Sequence, residues 1–179
     1  MDFNVLTKKL FDEVDRVLQG KDPMFEDLDK LVYTTWVWKE TLRLHPPVNS
    51  TPRRSNKSFK IGEKKLPKGT IITLHIGGVH LHPQYWENPK EFIPERFDET
   101  KNKITPFTYF PFSIGKRNCI GEKFATIEGR IALTMIAQRF KIEFDENIDV
   151  NKYFETINMI TTVPKHDLKL QFKLRSKMI

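Results

Sequence analysis

Apolar residues at Phe3, Leu6, Leu10, Val14 and Val17 recur at helical spacing with a charged opposite face. This spacing predicts an amphipathic helix over Phe3–Leu18. Gly20 ends it, and Lys21-Asp22-Pro23 makes a short break. A second stripe, through Leu28, Leu31, Val32, Thr35 and Leu42, predicts a helix over 26–44. His45-Pro46-Pro47 stops it, because proline lacks the N–H and pushes the preceding residue toward extended geometry. From 48 to 76 the pattern shortens to strands: 58–61, a turn at Gly62-Glu63, the turn signal Pro67-Lys68-Gly69, then β-branched 70–76. Residues 83–88 read as one helical turn, and aromatic, proline-punctuated 90–108 as an ordered loop. Phe124, Ile127, Ile131, Met135 and Ile136 predict the strongest helix, over 122–140. The tail reads as strands at 141–144, 157–163 and 168–174, with 164–167 turning the last two into a hairpin.

Composition fits this picture. At 179 residues, 39% apolar and 30% charged, the chain is globular, too apolar for a disordered tail. No run approaches the roughly 18 apolar residues that span a bilayer, and no signal-peptide pattern opens the chain. A single cysteine, Cys119, excludes an internal disulfide and a Cys-based zinc site. His80 and His82 form a possible metal pair, with no third ligand at fitting spacing. The net charge is +7, and most of the excess lies in 101–141, where eight basic residues face two acidic ones. Such a segment suits an anionic ligand or acidic partner. The segment carries no zinc-finger, helix-turn-helix or ribonucleoprotein pattern, which argues against nucleic acid.

That segment also holds Cys119, in Phe112-Ser113-Ile114-Gly115-Lys116-Arg117-Asn118-Cys119-Ile120-Gly121. Two glycines permit tight turns and close approach. The following helix aims its free N–H groups at the sulfur and favours an anion there. A nucleophile paired with a histidine, a redox thiol and a ligand to haem iron all fit, beside the plain reading of a buried small residue.

Phe112, Gly115, Arg117, Cys119 and Gly121 together match the Phe-x-x-Gly-x-Arg-x-Cys-x-Gly loop, and here the chain resembles the cytochrome P450 family. Lys39-Glu40-Thr41-Leu42-Arg43 is similar to its Glu-x-x-Arg helix, and Phe92-Ile93-Pro94-Glu95-Arg96-Phe97 to the stretch that meets it. His80-Leu81-His82-Pro83 departs from the family's His-Arg-Asp-Pro. The resemblance implies a mainly α fold with small antiparallel β-sheets, one of them from 58–76. Residues 1–179 would be the C-terminal portion of the domain, starting after the oxygen-activating helix.

It also implies haem b, its iron on the Cys119 thiolate, with Phe112, Gly115, Arg117, Gly121 and Arg53 around the cofactor. Glu40, Arg43 and Arg96 would form a buried structural network. The implied function is a share in a monooxygenase that inserts one atom of O2 into an apolar small molecule. The alternative is a non-catalytic haem-binding or interaction module, since no oxygen-activating motif is present and the chain alone would be inactive. The implied partners are that substrate, O2 and an electron-donor reductase facing Lys116, Lys123, Arg130 and Arg139, with no nucleic acid. The membrane anchor would be absent, and the parent protein would sit at the endoplasmic reticulum. The stripes of both long helices would be only partly covered in the chain alone.

Overall fold

The computed structural model describes residues 3–144, 156–158, 161–166 and 170–175. It is mainly helical with small antiparallel sheets. Helix α1 is Phe3–Leu18, α2 Val32–Leu44, α3 Ile76–His80 and α4 Glu122–Arg139. The strands are β1 Ser50–Arg54, β2 Phe59–Ile61, β3 Lys64–Leu66, β4 Ile71–His75, β5 Phe140–Phe144, β6 Thr156–Asn158, β7 Thr162–Pro164 and β8 Leu170–Leu174.

Helices α1, α2 and α4 share one core. Leu10, Val14 and Leu18 of α1 meet Leu28, Leu31, Tyr33, Val37 and Ala137, with Ile127 and Ile131 against them. Partial coverage is also seen: Phe3, Val5 and Phe124 stay exposed. Between α2 and α4 the contact is close. A Cβ on Gly129 would lie 2.1 Å from the Trp38 ring, so only glycine leaves room for the indole.

The expected helix over 26–44 is two elements. Phe25–Lys30 is a 3₁₀ helix, and α2 starts at Val32. Leu31, at φ −87° and ψ 66°, is the N-cap and has no side-chain oxygen with which to cap. The cap comes from α1. The Glu13 carboxylate accepts from the N–H of Tyr33 (2.7 Å) and Thr34 (2.8 Å) and from the Thr34 hydroxyl (2.8 Å). It thus serves donors that a helix start leaves free.

Strand pairing also departs from expectation. β2 and β3 form a hairpin as read, but β4 pairs with β1 in register Ser50↔His75 to Arg54↔Ile71. The sheet therefore reaches back beyond 58–76. Pro52 is accommodated because this two-stranded ribbon asks one ladder edge only of β1. The run 70–76 ends one residue early, since the His75 ring Nδ1 accepts from the Gly78 N–H (2.8 Å) and starts α3.

In the tail, β6 pairs with β7, and β8 returns to β5, which corrects the expected hairpin of the last two strands. Parts of those expected strands and their turn, at 159–160 and 167–169, lie outside the described residues. Arg175, just after β8, fastens this ribbon to α1. Its guanidinium donates to both Asp15 oxygens (3.1 and 2.5 Å) and to the Ala137 carbonyl (2.5 Å), and lies 4.3 Å from the Phe11 ring centroid.

Candidate functional site

The most enclosed polar cluster lies between α2 and the loop after α3. Glu40 and Arg43 share one face of α2, three residues apart, and both are fully buried. Arg43 Nε donates to Glu40 Oε2 (2.7 Å) and one terminal nitrogen to Glu40 Oε1 (2.8 Å), a two-point fork. The remaining N–H groups reach the carbonyls of His80 (2.9 Å), Pro89 (2.7 Å) and Glu91 (3.0 Å). All five guanidinium donors are therefore used, and the group lies 5.1 Å from the Trp86 ring centroid.

Glu40 Oε1 also accepts from the Ile93 N–H (2.8 Å) and from Arg96 Nε (3.3 Å). Arg96 then donates to the Asn88 carbonyl (2.8 Å). The structure thus brings Glu40, Arg43 and Arg96 together. One carboxylate faces two guanidiniums, which offsets the cost of burying it.

His80 extends the cluster, a part the sequence reading missed by weighing it as a metal ligand or as a base for the cysteine. It is fully buried. Its Nε2 accepts from the Phe110 N–H (2.9 Å), and its Nδ1 sits 3.2 Å from the Arg43 carbonyl. These partners require a neutral ring with its proton on Nδ1. Burial pulls its pKa down to about 4, and the Arg43 charge pushes the same way. Tyr109 stacks on the imidazole at 5.4 Å, and its hydroxyl donates to the Lys39 carbonyl (3.1 Å). Burial, then the Glu40 charge, pushes the Tyr109 phenol up. The sequence signal was the turn His80-Leu81-His82-Pro83, but its partner Phe110 lies 30 residues on.

The cysteine loop follows directly from Phe110. The Cys119 N–H donates to the Phe112 carbonyl (2.9 Å), closing the loop across Gly115, whose φ is +82°. A Cβ on Gly115 would meet nothing within 4 Å, so this glycine answers to backbone conformation and not to close approach. Gly121 is the N-cap of α4, and a Cβ there would lie 3.8 Å from the Cys119 sulfur. Arg53 of β1 reaches the same loop and donates to the Arg117 carbonyl (3.3 Å). Phe112 is half-buried, while Arg117 and Lys116 are exposed.

The expected haem b, with its iron on the Cys119 sulfur, is corrected by this geometry. An iron-binding thiolate works within a shell that controls solvent access. Cys119 is exposed, and its neighbour Ile120 is 105% exposed. Among the described residues no group of three or more His, Cys, Asp and Glu gathers to hold a metal ion. The described residues do not form a haem or iron site. The haem-based monooxygenase function and the haem-binding alternative fall with it.

The basic segment divides. Arg130 is half-buried and donates to the Leu28 carbonyl, and Arg139 pairs with Asp22 at 2.7 Å. Lys116 and Lys123 remain exposed. Among the described residues no helix is long and apolar enough to cross a membrane.

Comparison with known proteins agrees with the motif order. The sequence profile of the family described as Cytochrome P450 matches residues 4–172. The chain is 42% identical over 138 residues to cytochrome P450 3A18 of Rattus norvegicus, covering 76% of this chain and 28% of that protein. It is 41% identical over 138 residues to cytochrome P450 3A25 of Mus musculus, covering 76% of this chain and 27% of the relative. With lithocholate 6-beta-hydroxylase of Mesocricetus auratus it shares 36% over 174 residues, 96% of this chain and 34% of that protein. The chain thus spans 27% to 34% of the length of these relatives. By its profile match, its relatives and its helix-rich fold, the chain belongs to the cytochrome P450 family.

Proposed function

We propose that residues 1–179 are the C-terminal portion of a longer cytochrome P450 domain, and that their work is structural: to hold one wall of an oxidoreductase in a fixed shape. One observation carries this reading. The buried Glu40–Arg43–Arg96 cluster ties α2 to three separate backbone segments, at His80, at Pro89 to Glu91 and at Ile93. Such density of charge-assisted hydrogen bonds rigidifies a framework and leaves no group free for chemistry.

The longer protein would meet an apolar small molecule, O2 and an electron-donor reductase. Lys116 and Lys123, exposed beside the cysteine loop, would receive the acidic face of that reductase. One relative's name makes lithocholate the first molecule to try. The parent protein would be held at the endoplasmic reticulum membrane.

The test is complementation. The chain is co-expressed with the N-terminal two thirds of the Mesocricetus auratus relative, and co-purification and lithocholate retention are measured. A stable pair that retains lithocholate, disrupted by Arg43→Ala, is expected. A monodisperse 179-residue chain that never pairs would overturn the reading.

A further inference from the structure

The β2–β3 hairpin and its stem are strongly basic. Arg54, Lys57, Lys60, Lys64, Lys65 and Lys68 stand there against one acid, Glu63, and all are exposed. Among the described residues none of the six basic side chains pairs with a carboxylate. A second ribbon of the same chain is built differently. Lysine faces lysine in both, Lys60↔Lys65 in β2–β3 and Lys141↔Lys173 in β5–β8. Glu143 of β5 pairs with both members of the second couple, at 3.2 and 2.5 Å. Lys60 and Lys65 have no such carboxylate. Like charges directly opposite destabilise a ribbon, so this couple is suited to neutralisation from outside.

Apolar groups sit among the charges. Ile61, the last residue of β2 before the turn at Gly62-Glu63, is 56% exposed. Strand alternation puts it on the face of half-buried Phe59 and Leu66, with Lys60 and Lys65 on the other. Where the hairpin joins the β1–β4 ribbon, Ile71 is 60% exposed opposite Arg54. The joint is braced. The Ser55 N–H donates to the Thr70 carbonyl and the Gly69 N–H to the Ser55 carbonyl, both at 2.9 Å. The hydroxyls of Ser55 (3.3 Å) and Thr70 (2.7 Å) both donate to the Pro67 carbonyl.

The chemistry of the hairpin selects the occupant. Single-stranded nucleic acid is held by exposed aromatic rings, and the one ring here, Phe59, is half-buried. An acidic protein would answer the lysines, yet the aliphatic tip among them calls for apolar cover beside the charge. A bilayer surface rich in anionic lipid supplies both. Lysine stems lie along apolar surface with their ammonium groups among the headgroups, and an aliphatic side chain enters the interface between them. We propose that this hairpin docks on an anionic lipid surface, with Lys60 and Lys65 at the headgroups and Ile61 in the interface.

The test is flotation of the 179-residue chain with phosphatidylcholine vesicles, plain or mixed with about 25% phosphatidylserine as the anionic lipid. Aggregated chain does not float. The chain is expected to float with the anionic vesicles only, and to be released by salt. Lys60→Gln with Lys65→Gln should weaken binding about 25-fold, at about fivefold for each lysine near the surface. Lys141→Gln with Lys173→Gln removes as much charge and should bind as the parent does. Ile61→Ser should weaken vesicle binding about five- to tenfold, as the loss of one partly buried aliphatic side chain predicts. The Lys60, Lys65 double variant should melt no lower than the parent, since two facing like charges are gone. No flotation, equal flotation on neutral vesicles, equal losses in the two lysine couples, or a lower melting temperature for the Lys60, Lys65 variant would each overturn the proposal. So would an Ile61→Ser chain that floats like the parent, and soluble polyglutamate bound equally by both would then point to an acidic protein. Vesicle binding is read on the chain alone, so its absence would leave the structural role of the Glu40 cluster standing.

Discussion

Arg43 uses every donor it has, and none of the acceptors is water. Two bonds go to Glu40 and three to main-chain carbonyls of other segments. A lysine would keep the charge but offer a single nitrogen that cannot reproduce the fork. Removing the arginine strands a buried carboxylate, which typically costs about 3–5 kcal/mol. Both Arg43→Ala and Arg43→Lys should therefore lower the urea midpoint sharply, with the lysine recovering little.

His80 makes the same cluster sensitive to acid. Its folded pKa, about 4, lies below the ordinary 6.5, so the unfolded chain takes up the proton first. Its stabilising contribution is complete above pH 6.5, declines as pH falls toward 4, and is gone below that. Full protonation in the unfolded state alone would cost about 3 kcal/mol. Melting temperature should drop between pH 6.5 and 4, and His80→Gln should flatten that slope while lowering the plateau. The Glu-x-x-Arg spacing was legible from residues 40 and 43, because three positions apart means one helix face. The histidine's task was not, because its partners at Arg43 and Phe110 are brought to it only by the fold.

At the level of elements, the seam between α2 and α4 depends on one missing methyl group. Gly129→Ala would place a carbon 2.1 Å from the Trp38 ring, which cannot yield without leaving its place. Overpacking of this kind costs about 1–3 kcal/mol. Denaturant titration should show that loss, and Trp38→Leu should relieve it, so the two changes together would be less damaging than their sum. Helical periodicity revealed both helices, but it could not reveal which residue of one meets which residue of the other. The break before α2 was hidden for a related reason. Leu31 carries no capping oxygen, and the carboxylate that caps the helix belongs to Glu13 of α1. Likewise the alternation in β8 announced a strand but not that its neighbour would be β5.

Across the whole molecule, apolar groups collect around the cysteine loop. Phe107 is 74% exposed, Phe124 71% and Ile120 105%. Surface of that kind is a contact surface or an aggregation hazard. The isolated chain should self-associate as its concentration rises, seen by light scattering after gel filtration. The double change Ile120→Ser with Phe124→Ser should restore the monomer without lowering the melting temperature, because neither side chain is in the core. The motif at 112–121 was plain in the sequence, but its exposure was not. A ten-residue pattern names a family's loop and does not report what covers it.

Arg175 carries a consequence for the order of assembly. It holds Asp15 across a separation of 160 residues and also grips the end of α4 at Ala137. During synthesis α1 waits for this clasp until 160 further residues have been added. Contacts between such distant positions are slow to close. Helix α1 is thus made well before it is secured, and in that interval it is open to chaperones.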